Sequence, residues 1–324
     1  MRFPWTSRFR KAPGDEIRLL LSGREGGVVH LTHNDLDAVG CDAIHRRAYP
    51  RVTTLFCSVG RFPRALETVS GTPGGGSTLS ISDLGYFQGA ESVLSRVKAA
   101  GWRVEWRDHH RWTEGEIERV AASCDLLRVS TETCATGLCA RDLLPDDPVA
   151  REIASVVCDY DLWVHRDPRS AVLGQIIQRK ENREYVRDRL VEGVFSDETM
   201  ARMYREIRED MERAIRKSMR RARVHVARFR IGFAPLYGYP SETAAAMRRE
   251  LGTEMEVLVS PSGRFSLRSV PPVSHILAKS FGGGGHPHAA GGNFPFGFWD
   301  RIIFRLSGRC PYAAQFVARA ESLP

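Results

Sequence analysis

The chain has seven cysteines (Cys41, Cys57, Cys124, Cys134, Cys139, Cys158 and Cys310) but no Cys-x-x-Cys pair. Thiols scattered in this way exclude a zinc knuckle, argue against a disulfide framework and fit a cytoplasmic location better. No run approaches the roughly 20 continuous apolar residues of a membrane helix, so a membrane is not expected among the partners. The first 14 residues contain no acid and no apolar core for a secretory signal. Prolines also oppose an amphipathic transit helix there, and the segment reads as a disordered lead-in. There is no internal repeat, and the one low-complexity patch, residues 71–77, reads as a loop tip. Acids are outnumbered, 39 against 47 Lys+Arg, for a formal charge of +8. Such an excess favours anionic partners without establishing nucleic acid among them.

What is present is enough for two domains. At 324 residues, 42% hydrophobic and 27% charged, the composition is that of a globular protein long enough for two cores. In the first half, GGVVHLTH, TTLFCSV, STLSISDL and RVEWRDHH each read as a strand running into a polar loop. DAVGCDAIHRRAY and FQGAESVLSRVKAAG have helical spacing, the latter closing on Gly101. Strands alternating with helices predict right-handed crossovers and a mostly parallel sheet, whose ligands gather at the carboxyl ends of its strands. Residues 199–223 read as a charged helix. VHVARFRIGFAPL, EMEVLVSP and RFSLRSV are predicted strands, and SETAAAMRREL and PVSHILAKSF are predicted helices. The expected division is a lead-in over residues 1–14, a catalytic domain over 15–195, a charged helical linker over 196–224 and a smaller α/β domain over 225–324.

Four polar clusters follow these strands and helices. In THNDLDAVG, His33, Asp35 and Asp37 alternate, so an extended segment would present an imidazole and two carboxylates on one face. A lone Asp-x-Asp is equally at home in a turn or helix cap. Asp83 ends the strand STLSIS, and Asp108, His109 and His110 end RVEW. Adjacent histidines point apart, so one can ligate while the other faces a substrate. Asp159 and Asp161 follow the apolar segment ASVVC, which suits either a helix or a strand.

In order, THNDLDAVG, SDLG, DHH and CDYDLW resemble the four motifs of the DHH phosphoesterase family. That resemblance implies a site for two divalent metal ions, usually Mn2+, with Mg2+ as the alternative. Carried over by position, His33, Asp35 and Asp83 would hold one ion. Asp37, Asp83, His109 and Asp159 would hold the other, with Asp83 bridging. His110 would approach the scissile phosphate and Asp108 would orient a histidine from behind. Asp161 is left outside the ligand set, as a surface acid or helix cap. Some members have three residues between the first histidine and the first aspartate, whereas only Asn34 intervenes here, as in the compact form of the motif.

GGGGHPHAAGG, residues 282–292, resembles the glycine-rich motif of the DHH-associated C-terminal domain, first subtype. Gly282, Gly283, Gly284 and Gly285 would let backbone N–H groups approach a phosphate, with His286 and Arg268 beside them. His288 is a weaker candidate. Phe281, Phe294, Phe296 and Trp299 are read as packing residues rather than base-stacking ones. The resemblance implies a substrate cleft between the domains and an exonuclease of the oligoribonuclease type, hydrolysing short RNA or DNA oligonucleotides to mononucleotides. It leaves open a cyclic or linear dinucleotide phosphodiesterase, a 3′-phosphoadenosine-5′-phosphate phosphatase, a RecJ-like single-strand DNA exonuclease, a non-catalytic nucleotide-binding protein, and homodimerisation.

Overall fold

The computed structural model describes residues 15–24 and 26–323; the lead-in expected over residues 1–14 lies outside them. The chain divides into two compact units, one ending at Tyr204 and the other beginning at Arg205. The first carries the alternating pattern: α1 (Asp15–Ser22), β1 (Val28–Thr32), α2 (Leu36–Ala48), β2 (Val52–Phe56), α3 (Phe62–Ser70), β3 (Thr78–Ser82), α4 (Ala90–Ala99), β4 (Arg103–Asp108), α5 (Glu114–Ala121) and β5 (Leu126–Val129). Four further helices follow: α6 (Ala135–Leu143), α7 (Pro148–Asp161), α8 (Pro168–Ile176) and α9 (Arg183–Val191).

The five strands form one all-parallel sheet in the order β2-β1-β3-β4-β5. Chain direction across the sheet reverses between β1 and β3, so the crevice beyond their carboxyl ends is the natural ligand position of this topology. One face is sealed by Leu31, Leu66, Ile81, Leu94 and Trp106, all buried. The other is sealed by α2, which is buried continuously from Leu36 to His45 although it carries Asp37, Asp42 and His45. A polar network makes that burial tolerable. His30 Nε2 lies 2.7 Å from Ser82 Oγ, His45 Nε2 lies 2.8 Å from Ser80 Oγ, and Thr54 Oγ1 donates to Asp42 at 2.5 Å. Gly40 lets α2 lie close against α6, since a Cβ there would fall 2.5 Å from Thr136 Oγ1.

One expectation is corrected here. Cys134 and Cys158 form a disulfide, 24 residues apart, tying the start of α6 to the last turn of α7. The pair has no motif spacing, because it joins two helices that meet only in the fold.

The second unit begins within α10 (Glu198–Met219), the charged helix expected from the sequence. It continues with β6 (Arg223–Val226), β7 (Arg230–Pro235), α11 (Pro240–Leu251), β8 (Met255–Val259), β9 (Arg264–Ser269), α12 (Ser274–Lys279), β10 (Gly284–Gly285), β11 (Ala289–Asn293), α13 (Phe298–Ser307) and α14 (Ala313–Glu321). Its sheet has the order β10-β11-β9-β8-β7-β6, with only β7 and β8 parallel. Phe265, Phe294 and Phe316 stack or meet edge-on in its core, with Phe281 packed against them and Phe296 buried alongside. Trp299 departs from its expected packing role and is 71% exposed on α13. No helix among the described residues is long and apolar enough to cross a membrane.

Candidate metal centre

The carboxyl ends of β1, β3 and β4 deliver the motif residues to one place. β1 ends at Thr32, and the chain turns through His33 and Asn34 into α2. There Asp35 is the N-cap, accepting from Ala38 N at 3.1 Å. Its other oxygen lies 2.7 Å from His33 Nδ1. The capping role that the sequence allowed and the ligand role are therefore compatible, because the cap uses one carboxylate oxygen. Asp37, in the first turn of α2, is completely buried and clamped by the N-terminus of α6. Its two oxygens accept from Ala135 N at 2.8 Å and Thr136 N at 2.7 Å.

Asp83 follows β3 with φ at 53°, the left-handed region that costs a non-glycine residue roughly 1–2 kcal/mol. The strand cannot continue straight, and the bend turns the carboxylate into the cluster. One oxygen lies 3.7 Å from His33 Nδ1 and the other 3.4 Å from His109 Nε2. His109 Nε2 also lies 3.6 Å from Asp37 Oδ2 and 3.6 Å from Asp161 Oδ2. These separations are too long for good hydrogen bonds. They suit donor atoms converging on an ion held at about 2.1–2.2 Å. Asp83 Oδ2 and Asp161 Oδ2 are buried with no hydrogen-bond partner. Carboxylates and imidazoles without a thiolate suit Mn2+ or Mg2+ better than a structural zinc. The residues present fit a divalent cation. They group as His33, Asp35 and Asp83 on one side, and Asp37, His109 and Asp161 on the other, with Asp83 also within reach of His109 and His110.

The electrostatics follow from crowding. Burial, then the charges of Asp35 and Asp37, push Asp83 well above the usual carboxylate range. Burial also raises Asp37, against the opposing pull of His109. Asp161 is pushed up to about 7 by burial and by Asp37. His33 is pushed up to about 10: burial lowers it, and the combined hold of Asp35 and Asp83 outweighs that. These carboxylates repel one another unless a cation or protons lie between them.

His110 is set differently. Its Nδ1 lies 2.8 Å from Asp108 Oδ1, while Trp112 Nε1 donates to Asp108 Oδ2 at 2.7 Å. The hydrogen bond to Asp108 raises the His110 pKa against the effect of burial. Asp108 thus orients His110 from behind and leaves the half-exposed ring free at Nε2.

Asp159 is the residue that the structure does not bring to the cluster. Its carboxylate accepts from Arg166 N at 2.8 Å, Asp167 N at 3.2 Å and Ser170 Oγ at 2.5 Å, closing the turn between α7 and α8. Asp161 takes the place beside His109. Within a helix, residues two apart face roughly opposite sides, so only one member of Asp-Tyr-Asp can point inward. The buried stripe of α7 includes Ile153 and Val157, and the next step of four is Asp161. Helical periodicity was the available signal for Asp161, whereas the motif carried over by position gave Asp159.

In the second unit, the glycines form a tight ribbon rather than an open loop. Gly284 pairs with Gly291 and Gly285 with Ala290 across β10 and β11. A Cβ on Gly283 would fall 1.9 Å from Gly291 O, so only glycine permits this approach. Gly282, with φ at 67°, turns the chain into the ribbon. Arg268 sits opposite Ala289 in the adjacent strand, its guanidinium donating to Ser266 Oγ at 3.0 Å and Ser241 Oγ at 3.1 Å. His286 is exposed at the ribbon's tip, and His288 Nδ1 lies 3.1 Å from Ser269 O.

No family model matches the chain, and no curated protein matches it in sequence. Solved structures share its fold. A DHH domain from a member of the s1p family of ribosomal proteins aligns with TM-score 0.60 at 13% identity, over 96% of this chain and 90% of that one. A pGpG-specific phosphodiesterase from Vibrio cholerae aligns with TM-score 0.54 at 12% identity, over 90% and 99%. RecJ from Thermus thermophilus, in complex with Mn2+, aligns with TM-score 0.55 at 17% identity, over 96% of this chain and 55% of RecJ. At these identities the likeness establishes a shared fold, that of DHH-domain proteins.

Proposed function

We propose that this chain, carrying the fold of DHH-domain proteins, is a DHH-family phosphoesterase that uses two divalent cations, Mn2+ in the first instance, to hydrolyse phosphodiester bonds in short oligonucleotides. The observation that carries the reading is Asp83, a strained, buried carboxylate with one oxygen toward His33 and the other toward His109. His33, Asp35 and Asp83 would hold one cation; Asp37, Asp83, His109 and Asp161 would hold the other. Bound cations would supply Lewis acidity, making hydroxide from water near neutral pH and neutralising charge on the phosphoryl oxygens.

The protein's own groups define the rest. Backbone N–H donors fix Asp37, and the α2 N-cap bond fixes Asp35, so the site needs little reorganisation on binding. His110, with Nδ1 committed to Asp108, presents Nε2 for hydrogen bonding to a phosphoryl oxygen. Arg268, the Gly282–Gly285 turn and His286 supply a second anion-holding group, on the other unit of the chain. The shared fold with a pGpG-specific phosphodiesterase and with Mn2+-bound RecJ supports this chemistry.

The test is turnover of labelled RNA and DNA of two to five nucleotides with Mn2+, alongside cyclic dinucleotides and 3′-phosphoadenosine-5′-phosphate. Metal-dependent release of mononucleotides, abolished by Asp83→Asn in a folded protein, is expected. Preference for one of the other substrates would replace the oligonucleotide reading, and full activity of Asp83→Asn would remove the metal-centre assignment.

A further inference from the structure

In the second unit, α13 turns its apolar side outward. At 3.6 residues per turn, Phe298, Trp299, Ile302, Ile303 and Leu306 fall within an arc of roughly 140°. An arc of that kind ordinarily faces a core. Here Phe298 and Trp299 are each 71% exposed, Ile303 48% and Leu306 77%. The helix is anchored from its other side by Phe304, which is buried with its ring centre 5.5 Å from that of Phe296. Among the described residues no other helix exposes so many large apolar side chains. A single exposed leucine needs no explanation, but a contiguous stripe marks a surface that another apolar phase covers.

The charges beside the stripe say what that phase is. Arg301 and Arg305 are exposed along one flank, and Arg309 is exposed just beyond the helix. The acid of α13, Asp300, is committed to the helix start, where Gly297 N donates to its Oδ2 at 2.9 Å. Arg305 also borders a cavity of about 260 Å3 shared with Lys217, Arg221 and Tyr237, and no carboxylate lines it. Arg221 donates to Tyr237 Oη and to Arg305 O, each at 3.1 Å, and Lys217 Nζ lies 4.1 Å from the centre of the Tyr237 ring. None of these five cations has a carboxylate partner among the described residues, whereas Arg213 and Arg216 of α10 are matched by acids of their own helix. Apolar side chains flanked by unmatched cations are complementary to the boundary of an anionic bilayer. There the apolar groups enter the acyl region and the guanidinium groups stay level with the phosphates. A second copy fits less well, because antiparallel two-fold pairing of the stripes sets each arginine flank against its own duplicate.

We propose that α13 lies in the plane of an anionic lipid surface, with Phe298, Trp299, Ile303 and Leu306 in the acyl boundary. Arg301, Arg305 and the Lys217–Arg221 cavity then face lipid phosphates. A membrane was not expected among the partners because the chain has no spanning run, and that absence does not bear on a helix lying in the interface. The inference is independent of the phosphoesterase reading, since it uses none of the residues of the metal centre.

Co-sedimentation of the full chain with vesicles of equimolar phosphatidylcholine and phosphatidylglycerol tests it. Wild type should bind these vesicles at least about tenfold more tightly than vesicles of phosphatidylcholine alone, and added salt should weaken the binding. The double variant Trp299→Ser with Leu306→Gln changes two exposed positions, so the fold is retained, and its binding should fall at least about tenfold. Arg301→Gln with Arg305→Gln should weaken binding about tenfold and flatten its salt dependence. Tryptophan emission should shift to the blue when anionic vesicles are added to wild type, and that shift should be lost in Trp299→Ser. Absence of binding to either vesicle overturns the proposal. Binding that the Trp299 and Leu306 substitutions leave unchanged also overturns it, because the attraction then belongs to the overall charge and not to α13. A dimer in sedimentation velocity without lipid, dissociated by Leu306→Gln, assigns the stripe to a second copy and overturns it as well.

Discussion

Replacing Asp161 with asparagine should make the cation-free protein more stable while weakening its response to metal. Asp161 lies with its Oδ2 buried, without a hydrogen-bond partner, 3.6 Å from His109 Nε2. Burial and Asp37 push its carboxyl from 3.8 to about 7. The unfolded chain ionises this group above 3.8 and the folded chain only above 7. Between those values the folded state binds the extra proton, so stability falls as pH rises through the window. Once both states are ionised, at pH 8, the penalty is complete. A rise of this size corresponds to about 4 kcal/mol at 1.36 kcal/mol per pH unit, and shared titration with Asp37 reduces the part belonging to Asp161 alone to roughly 2–4 kcal/mol. Asparagine keeps the shape and removes the charge. Urea denaturation in EDTA at pH 8 should therefore give a higher midpoint for Asp161→Asn than for wild type, with the difference vanishing near pH 4. Adding Mn2+ should stabilise wild type strongly and the variant far less, because one ligand of the His109 group is gone. Asp159→Asn is the contrasting variant. Its carboxylate caps the α7–α8 turn, so it should lose stability in EDTA and keep its response to Mn2+. The reverse pattern, metal response lost with Asp159→Asn and kept with Asp161→Asn, would refute the placement of Asp161 in the site.

Three other outcomes follow from the same geometry. The rise in melting temperature on adding Mn2+ should grow between pH 5.5 and pH 8, because protons compete with cations for raised carboxylates below about 7; differential scanning fluorimetry across that range reads it, and a flat response would contradict the crowding of Asp37, Asp83 and Asp161. Reducing the Cys134–Cys158 bridge, or replacing Cys134 with serine, should cost about 3 kcal/mol by chain entropy for a loop of this length, read as a lower urea midpoint with dithiothreitol. Asp108→Asn should lower the His110 pKa and move the alkaline limb of the kcat–pH profile to lower pH, with the acidic limb unmoved.

Much of this was legible from residue order alone, for specific reasons. Each of these strands sets apolar residues on one face (Val29 and Leu31, Leu79 and Ile81, Val104 and Trp106) and stops at a polar turn. Val28–Thr32, Thr78–Ser82 and Arg103–Asp108 therefore announced themselves, and with them the places where His33, Asp83 and His109 leave the sheet. Asp37 was legible as a candidate but not as a clamped one, since its donors Ala135 and Thr136 lie almost a hundred residues away. The disulfide was hidden for the same reason. Cys134 and Cys158 meet because α6 and α7 pack together, which no local spacing encodes. The glycine string was legible as backbone able to approach a phosphate, but not as a ribbon in which Gly283 and Gly285 are close-packing residues, since their contacts come from the neighbouring strand. The charged helix was visible, but the division of the chain within it, at Tyr204, depends on long-range packing.

Asp159 and Asp161 show where sequence and geometry part. Two aspartates one residue apart satisfy the same motif string, and the choice between them depends wholly on local backbone period. In an extended segment both would lie on one face and either could ligate. In α7 they cannot, and the side that already buries Ile153 and Val157 also directs Asp161 toward His109. The other side exposes Asp159 to the amides of Arg166 and Asp167, where a carboxylate is useful as a cap. The two roles are consequently separable by experiment: charge at position 161 should set the cation response, and charge at position 159 only the stability of the turn.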